Sequence, residues 1–294
     1  MRYTTLQNKF NLNSLVSYMA KKRTKKTSNE NKLMYVPFIV LAVIIVLLVA
    51  LPYIHFPTSS TTVAEASTPL FNLVKINNIN YAGNNTVQIY FISWYGCPNG
   101  ATTSWPLYLA LSKFGYVNVT PHYSITESTV GAPIPGLIFS NFTHFKGENI
   151  YFHPVYIYGQ YLNETPNGTP ISSKDLVTYG LQELKNLVPY WVYNLTEFYE
   201  VNQTYQALQG QSPAYASNIP HLITILIISG PGGTWMVMGY PAQISPTDLA
   251  GLNSTILYNI ITGHQSASGE YSIAYNHIEN ASIVIYNAIV KASS

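Results

Sequence analysis

From Val36 to Ile54 the chain reads V-P-F-I-V-L-A-V-I-I-V-L-L-V-A-L-P-Y-I, nineteen positions without a charge. That is close to the roughly 20 apolar residues a helix needs to cross a bilayer. Downstream the pattern turns periodic. Residues 73–93, L-V-K-I-N-N-I-N-Y-A-G-N-N-T-V-Q-I-Y-F-I-S, hold β-branched and aromatic runs around an A-G-N-N turn and predict two strands. Helical spacing follows at Trp105, Leu109 and Phe114, with Gly115 as the C-terminal stop and Pro106 as a kink. Residues 116–125 return to strand character, which predicts a right-handed β-α-β crossover onto a parallel partner.

Residues 131–145 are broken by Pro and Gly, and 149–159 reads as a further strand. A capping box at Ser172 and Asp175 then opens a helical region, interrupted at Pro189 and ending near Leu208. Beyond it, two strands at 222–228 and 234–240 flank G-P-G-G and predict a hairpin. Ser245 to Asp248 caps another helix. The last helix, 271–291, places Ala274, Ile278, Ala281, Ile285 and Ala288 on one face.

Charge gives the apolar run a direction. Residues 1–33 hold eight of the fourteen Lys and Arg, including K-K-R-T-K-K at 21–26, against Glu30 alone among the acids. Cationic residues stay on the cytoplasmic side, so the expected order is a basic cytoplasmic tail at 1–33 and an uncleaved transmembrane signal anchor at 34–54. A Ser/Thr/Pro linker at 55–69 and an extracytoplasmic domain at 70–294 complete it. The nearest A-x-A, at Ala64 to Ala66, lies too far beyond the apolar run for ordinary signal cleavage. The basic run, just inside the membrane, suits anionic lipid headgroups better than nucleic acid.

Nine N-x-S/T sequons begin at Asn84, Asn118, Asn141, Asn163, Asn167, Asn194, Asn202, Asn253 and Asn280, and none precedes the apolar run. Their one-sided distribution predicts a glycosylated, single-pass cell-surface protein. With 9% charged residues against 47% hydrophobic and 14% aromatic ones, the chain can build a core and solvate it with neutral polar groups. Few ionisable groups also suit an acidic exterior.

The chain has one cysteine, Cys97, in F-I-S-W-Y-G-C-P-N-G, where a strand runs into a Cys-Pro helix start. Dithiol exchange needs a second thiol to resolve the mixed disulfide, and position 100 is Gly. The usual disulfide oxidase or reductase activity is thereby excluded for the monomer. A monothiol role survives, since a helix N-terminus lowers a thiol pKa. So does a structural role, as a small buried side chain.

The order of strand, Cys at a helix start, strand, helix, then Ile219-Pro220 leading into a hairpin and a last helix is similar to the thioredoxin fold. More specifically, C-P-N-G-A-T-T-S-W-P-L-Y-L-A-L-S-K-F-G and Y-N-H-I-E-N-A-S-I-V-I-Y-N-A-I resemble the archaeal domain-of-unknown-function family 929. That family often carries C-P-x-C, whose second cysteine is Gly100 here. The resemblance implies an α/β fold, a thioredoxin-like mixed sheet flanked by helices with a helical insertion and a C-terminal helix. It also implies a cis Ile219-Pro220 bond packed against Cys97, and a site formed by Trp94, Tyr95, Pro98, Ile219, Pro220 and His221.

A Cys97–His221 pair is one reading of that site. His122, His144, His153, His264 and His277 show no metal-ligand spacing, and neither a metal nor a cofactor is expected. G-P-G-G lacks the frame of a phosphate loop. The aromatic runs read as core, with a ligand or glycan platform as the minor alternative. The expected function is a non-enzymatic binding or envelope-assembly role. Its partners would be the lipid bilayer, other envelope proteins or glycans, and no nucleic acid. The alternative is a monothiol redox protein acting through Cys97.

Overall fold

The structure, a computed structural model, describes residues 68–294. The basic tail, the transmembrane segment and most of the linker lie outside the described residues. Among the described residues no helix is long and apolar enough to cross a membrane.

The main sheet has six strands. In chain order its members are β1 (Val74–Asn77), β2 (Val87–Ser93), β5 (Thr143–Phe145), β6 (Ile150–Tyr156), β7 (Ile225–Gly230) and β8 (Gly233–Met238). Their order across the sheet is β1-β8-β7-β2-β6-β5. β2 is parallel to β6, with Val87 opposite Ile150 and Ser93 opposite Tyr156, and antiparallel to β7. β7 and β8 form the expected hairpin, closing at Gly230 opposite Gly233. β1 pairs with β8 rather than with its sequence neighbour.

The parallel partner of β2 is a correction. The pattern places it at 116–125, but that segment is β3 (Val119–Glu127), which pairs only with β4 (Ala132–Phe139) in a separate two-stranded sheet. The crossover from β2 therefore runs through α1 (Pro98–Leu111) and the β3–β4 hairpin before reaching β6.

Helices cover both faces, as a central strand buried on each side requires. On one face Ile89, Phe91, Phe152, Leu226, Ile228 and Val237 pack with Leu107 and Leu111 of α1 and with Ile285 and Ile289 of the last helix, α5 (Glu270–Ser293). On the other, Tyr90, Ile92, Ile225, Ile227 and Met236 meet Leu176 and Leu184 of α2 (Leu176–Leu187) and Val192 of α3 (Tyr190–Glu197). A third cluster joins Trp105 to Ile134 and Leu137 of the hairpin, Leu257 of α4 (Ser254–Ile261), and Ala274 and Ile278. All five small or branched residues of the predicted α5 face are buried.

Two caps differ from expectation. Asp175 makes no side-chain cap bond to α2; its N–H donates to the Ser172 carbonyl instead. The capping box at Ser245 and Asp248 forms, but it closes the single turn Pro246–Asp248, and α4 starts later under Asn253.

Candidate functional site

β2 ends at Ser93, and Trp94, Tyr95 and Gly96 turn the chain into α1. A Cβ at Gly96 would lie 1.9 Å from the Gln160 carbonyl oxygen, so the turn admits only Gly. Cys97 is the N-cap residue of α1, followed by Pro98, whose missing N–H costs nothing at that position. Its side chain is 3% exposed. Sγ lies 3.0 Å from Thr224 Oγ1, which lies 2.9 Å from Ser93 Oγ. Burial pushes the thiol pKa up, against hydrogen bonds from Thr224, the Gly100 N–H, Ser93 and the Asn99 N–H that pull it down. The balance favours the neutral thiol.

Gly100 leaves no room for a side chain. A Cβ there would lie 2.2 Å from Ser93 Oγ and 3.1 Å from Thr224 Oγ1. Two hydroxyls fill the space a second cysteine would need.

The β3–β4 hairpin closes the site from above. Ile125 N–H donates to the Gly96 carbonyl at 2.9 Å, and Leu137 N–H donates to Ser104 Oγ at 2.8 Å. Trp105 Nε1–H donates to the Pro135 carbonyl at 2.8 Å. Gly136 approaches α1 so closely that a Cβ would sit 2.6 Å from Ala101 Cα. What remains beside Ser93 and Gly100 is a cavity of about 10 Å³, room for about one water.

The other expected site residues are spread around this centre. Trp94 is buried, with its indole N–H unpartnered and its ring edge-on to His221 at 5.6 Å. Tyr95 stacks on Tyr156 at 4.9 Å, and Pro98 is half-buried. Ile219 is exposed. The Ile219-Pro220 bond is trans, there being no cis peptide among the described residues, which corrects the expectation of a cis bond. His221 Nδ1–H donates to the Ile219 carbonyl at 2.6 Å, and burial lowers its pKa. The residue of this segment that hydrogen-bonds Cys97 is Thr224, so the Cys97–His221 pair is replaced by a thiol–hydroxyl chain.

Sequence reasoning missed Thr224 and Ser93, since a hydroxyl in an apolar strand carries no pattern signal. It also missed Glu200, in the π-helical turn Phe198–Asn202. Glu200 is fully buried; its Oε2 accepts the Ile223 N–H at 2.7 Å, next to Thr224, and its Oε1 has no partner. Burial raises its pKa well above the ordinary carboxylate value.

A second feature lies across a shared wall. Tyr95 and Tyr156 border both the small cavity and an open cleft of about 290 Å³, completed by Phe142, His153, Val155 and Leu187 among others, none of them charged. Phe142 is 53% exposed, its ring 4.9 Å from that of His153. His153 stacks flat on Tyr90 at 4.4 Å and bonds Gln88 Oε1 through Nε2 at 2.7 Å. Burial pushes the His153 pKa down to about 4. Among the described residues no cluster of His, Cys, Asp or Glu could hold a metal. All nine sequon asparagines are exposed.

A family model described as a domain of unknown function (DUF929) matches residues 72–291, which span both hairpins, the Cys97 site and α5. The chain belongs to the DUF929 family. No curated protein and no solved structure matches it significantly.

Proposed function

We propose that this DUF929 protein is a membrane-anchored cell-surface module with a binding or envelope-assembly role, and that Cys97 serves packing rather than redox chemistry. One observation carries this reading: the only thiol is buried at the start of α1, which the β3–β4 hairpin contacts on either side of it, and is bonded to Thr224, with Ser93 occupying the place of a partner cysteine. Exposure of all nine sequon asparagines supports an outward-facing domain. A thioredoxin-like frame is part of the proposal. The parallel β2–β6 pair with α1 between, the β7–β8 hairpin and the closing helix support it, and the trans Pro220 counts against it.

The monothiol alternative draws on the N–H groups of Asn99 and Gly100 aimed at the sulfur. A thiol-labelling experiment separates the two. Native protein should label at Cys97 at least a hundredfold more slowly than unfolded protein, and Cys97→Ser should cost about 1 kcal/mol. Native labelling as fast as that of a free thiol would favour the monothiol reading.

A further inference from the structure

The open cleft lies at one end of the sheet, where β5 is the edge strand, and Leu187 at the end of α2 completes its wall. Its chemistry is specific in what it omits. No Lys, Arg, Asp or Glu lines it, which disfavours phosphates, nucleic acid and charged peptides. Its polar groups are neutral. The Tyr156 hydroxyl is buried, where it accepts the Phe139 N–H, and the residue borders the cleft without a charge. His153, holding Gln88 through Nε2, leaves Nδ1 as an acceptor. Flat ring faces with electron-rich centres attract polarised C–H groups, and the surrounding neutral donors and acceptors suit hydroxyls. That combination fits the faces and edges of a neutral sugar.

The chain itself says where such a sugar would come from. Phe142, which walls the cleft, is the middle residue of the sequon Asn141-Phe142-Thr143, and Asn141 is exposed immediately before the edge strand. It is the one sequon of the nine with an aromatic residue in its middle position. Others are less open as acceptors. Thr196, of the Asn194 sequon, is fully buried with its hydroxyl bonded to the Val192 carbonyl. Ser282, of the Asn280 sequon, is 1% exposed and bonded to the Glu279 carbonyl. Asn253 uses its side-chain oxygen to cap α4.

We propose that Asn141 carries an N-linked glycan whose first, neutral sugars lie in the cleft against Phe142. This rests on the reading that the domain faces outward. The glycan would cover the apolar rings and shield the open edge of β5 from pairing with another strand.

The test is glycopeptide mass spectrometry on the full-length protein purified in detergent from the cells that make it, followed by thermal unfolding of Asn141→Gln, Phe142→Ala and the double variant. The expected result is sugar on Asn141. Phe142→Ala should then lower the unfolding midpoint by about 2–4 °C more in the glycosylated chain than in the Asn141→Gln background. A bare Asn141 beside other occupied sequons overturns the proposal and leaves the outward-facing reading standing. Bare asparagines at every sequon overturn both. Occupied Asn141 with equal loss in the two backgrounds overturns the packing of sugar on Phe142.

Discussion

Two cavities share Tyr95 and Tyr156 as a wall, yet they differ in every property that matters for chemistry. The one beside Ser93 and Gly100, next to buried Cys97 in the chain, is about 10 Å³ and is walled by a hairpin that touches α1 backbone to backbone. The one beside Phe142 is about 290 Å³ and open, with aromatic and neutral polar walls. The reactive-looking residue, Cys97, is buried on the closed side, and the accessible cleft has no thiol or aliphatic hydroxyl in its lining. Access and reactivity have been separated, which is the opposite of what a thiol enzyme requires. The difference comes from the β3–β4 hairpin, which contributes His122, Gly136, Leu137 and Ile138 to the first lining and nothing to the second.

The most disruptive way to break the comparison is to loosen that cover. Trp105 is fully buried in the cluster joining hairpin, α1 and α5, and its N–H holds the Pro135 carbonyl. Trp105→Ala should cost about 3–5 kcal/mol, read from denaturant unfolding. It should also speed labelling of Cys97 in the folded protein. A destabilised variant whose Cys97 stays as slow as before would show that the hairpin is not what closes the site.

Gly100 sharpens the same contrast at smaller amplitude. A methyl group at this position meets Ser93 Oγ, so Gly100→Ala should cost about 1–3 kcal/mol despite the better helix propensity of Ala. Ser93→Ala removes the obstructing oxygen, and the double variant should recover most of the loss. Additive costs would mean that Gly100 is fixed by something other than Ser93.

What the sequence reveals follows from how local each feature is. The α5 face and the β7–β8 hairpin are written in a few adjacent residues, and both form. The pairing of β2 is not local: β6 lies beyond the whole β3–β4 insertion, while the strand-like 116–125 lies nearer and offers itself first. The capping pattern at Ser172 and Asp175 has the right letters but not the geometry, because the helix starts three residues later than the box requires, with Asp175 itself at the N-cap. At the site, Cys97 at the start of α1 is visible and its hydroxyl partners are not. Thr224 sits inside L-I-T-I-L-I-I, where it reads as one more β-branched residue. Glu200 lies in a stretch whose polar residues look like an outer face, and only tertiary packing buries it.

Glu200 supplies the finest test, because its charge state ties the closed side of the molecule to pH. Its folded pKa is raised by burial, so the folded protein holds this proton more tightly than the unfolded chain does. Its contribution to stability is therefore fully present below the ordinary carboxylate value of 4.5 and lost as pH rises through the raised value. On the other slope stand His153 and His221, whose pKa values burial lowers. Their contribution is present above the ordinary 6.5 and lost as pH falls, for His153 towards about 4. In the wild type the two slopes oppose each other between those ordinary values, so the raw pH profile is ambiguous. The difference between Glu200→Gln and wild type is not, since the histidines are common to both and cancel. As pH rises above the ordinary carboxylate value that difference should move in favour of the variant, with one proton's worth, about 1.4 kcal/mol per pH unit, as the upper limit of its slope. Unfolding midpoints at a few pH values suffice to read it. A difference that stays flat with pH would mean that Glu200 ionises freely, and that the segment carrying Thr224 to Cys97 is open to water from the Glu200 side.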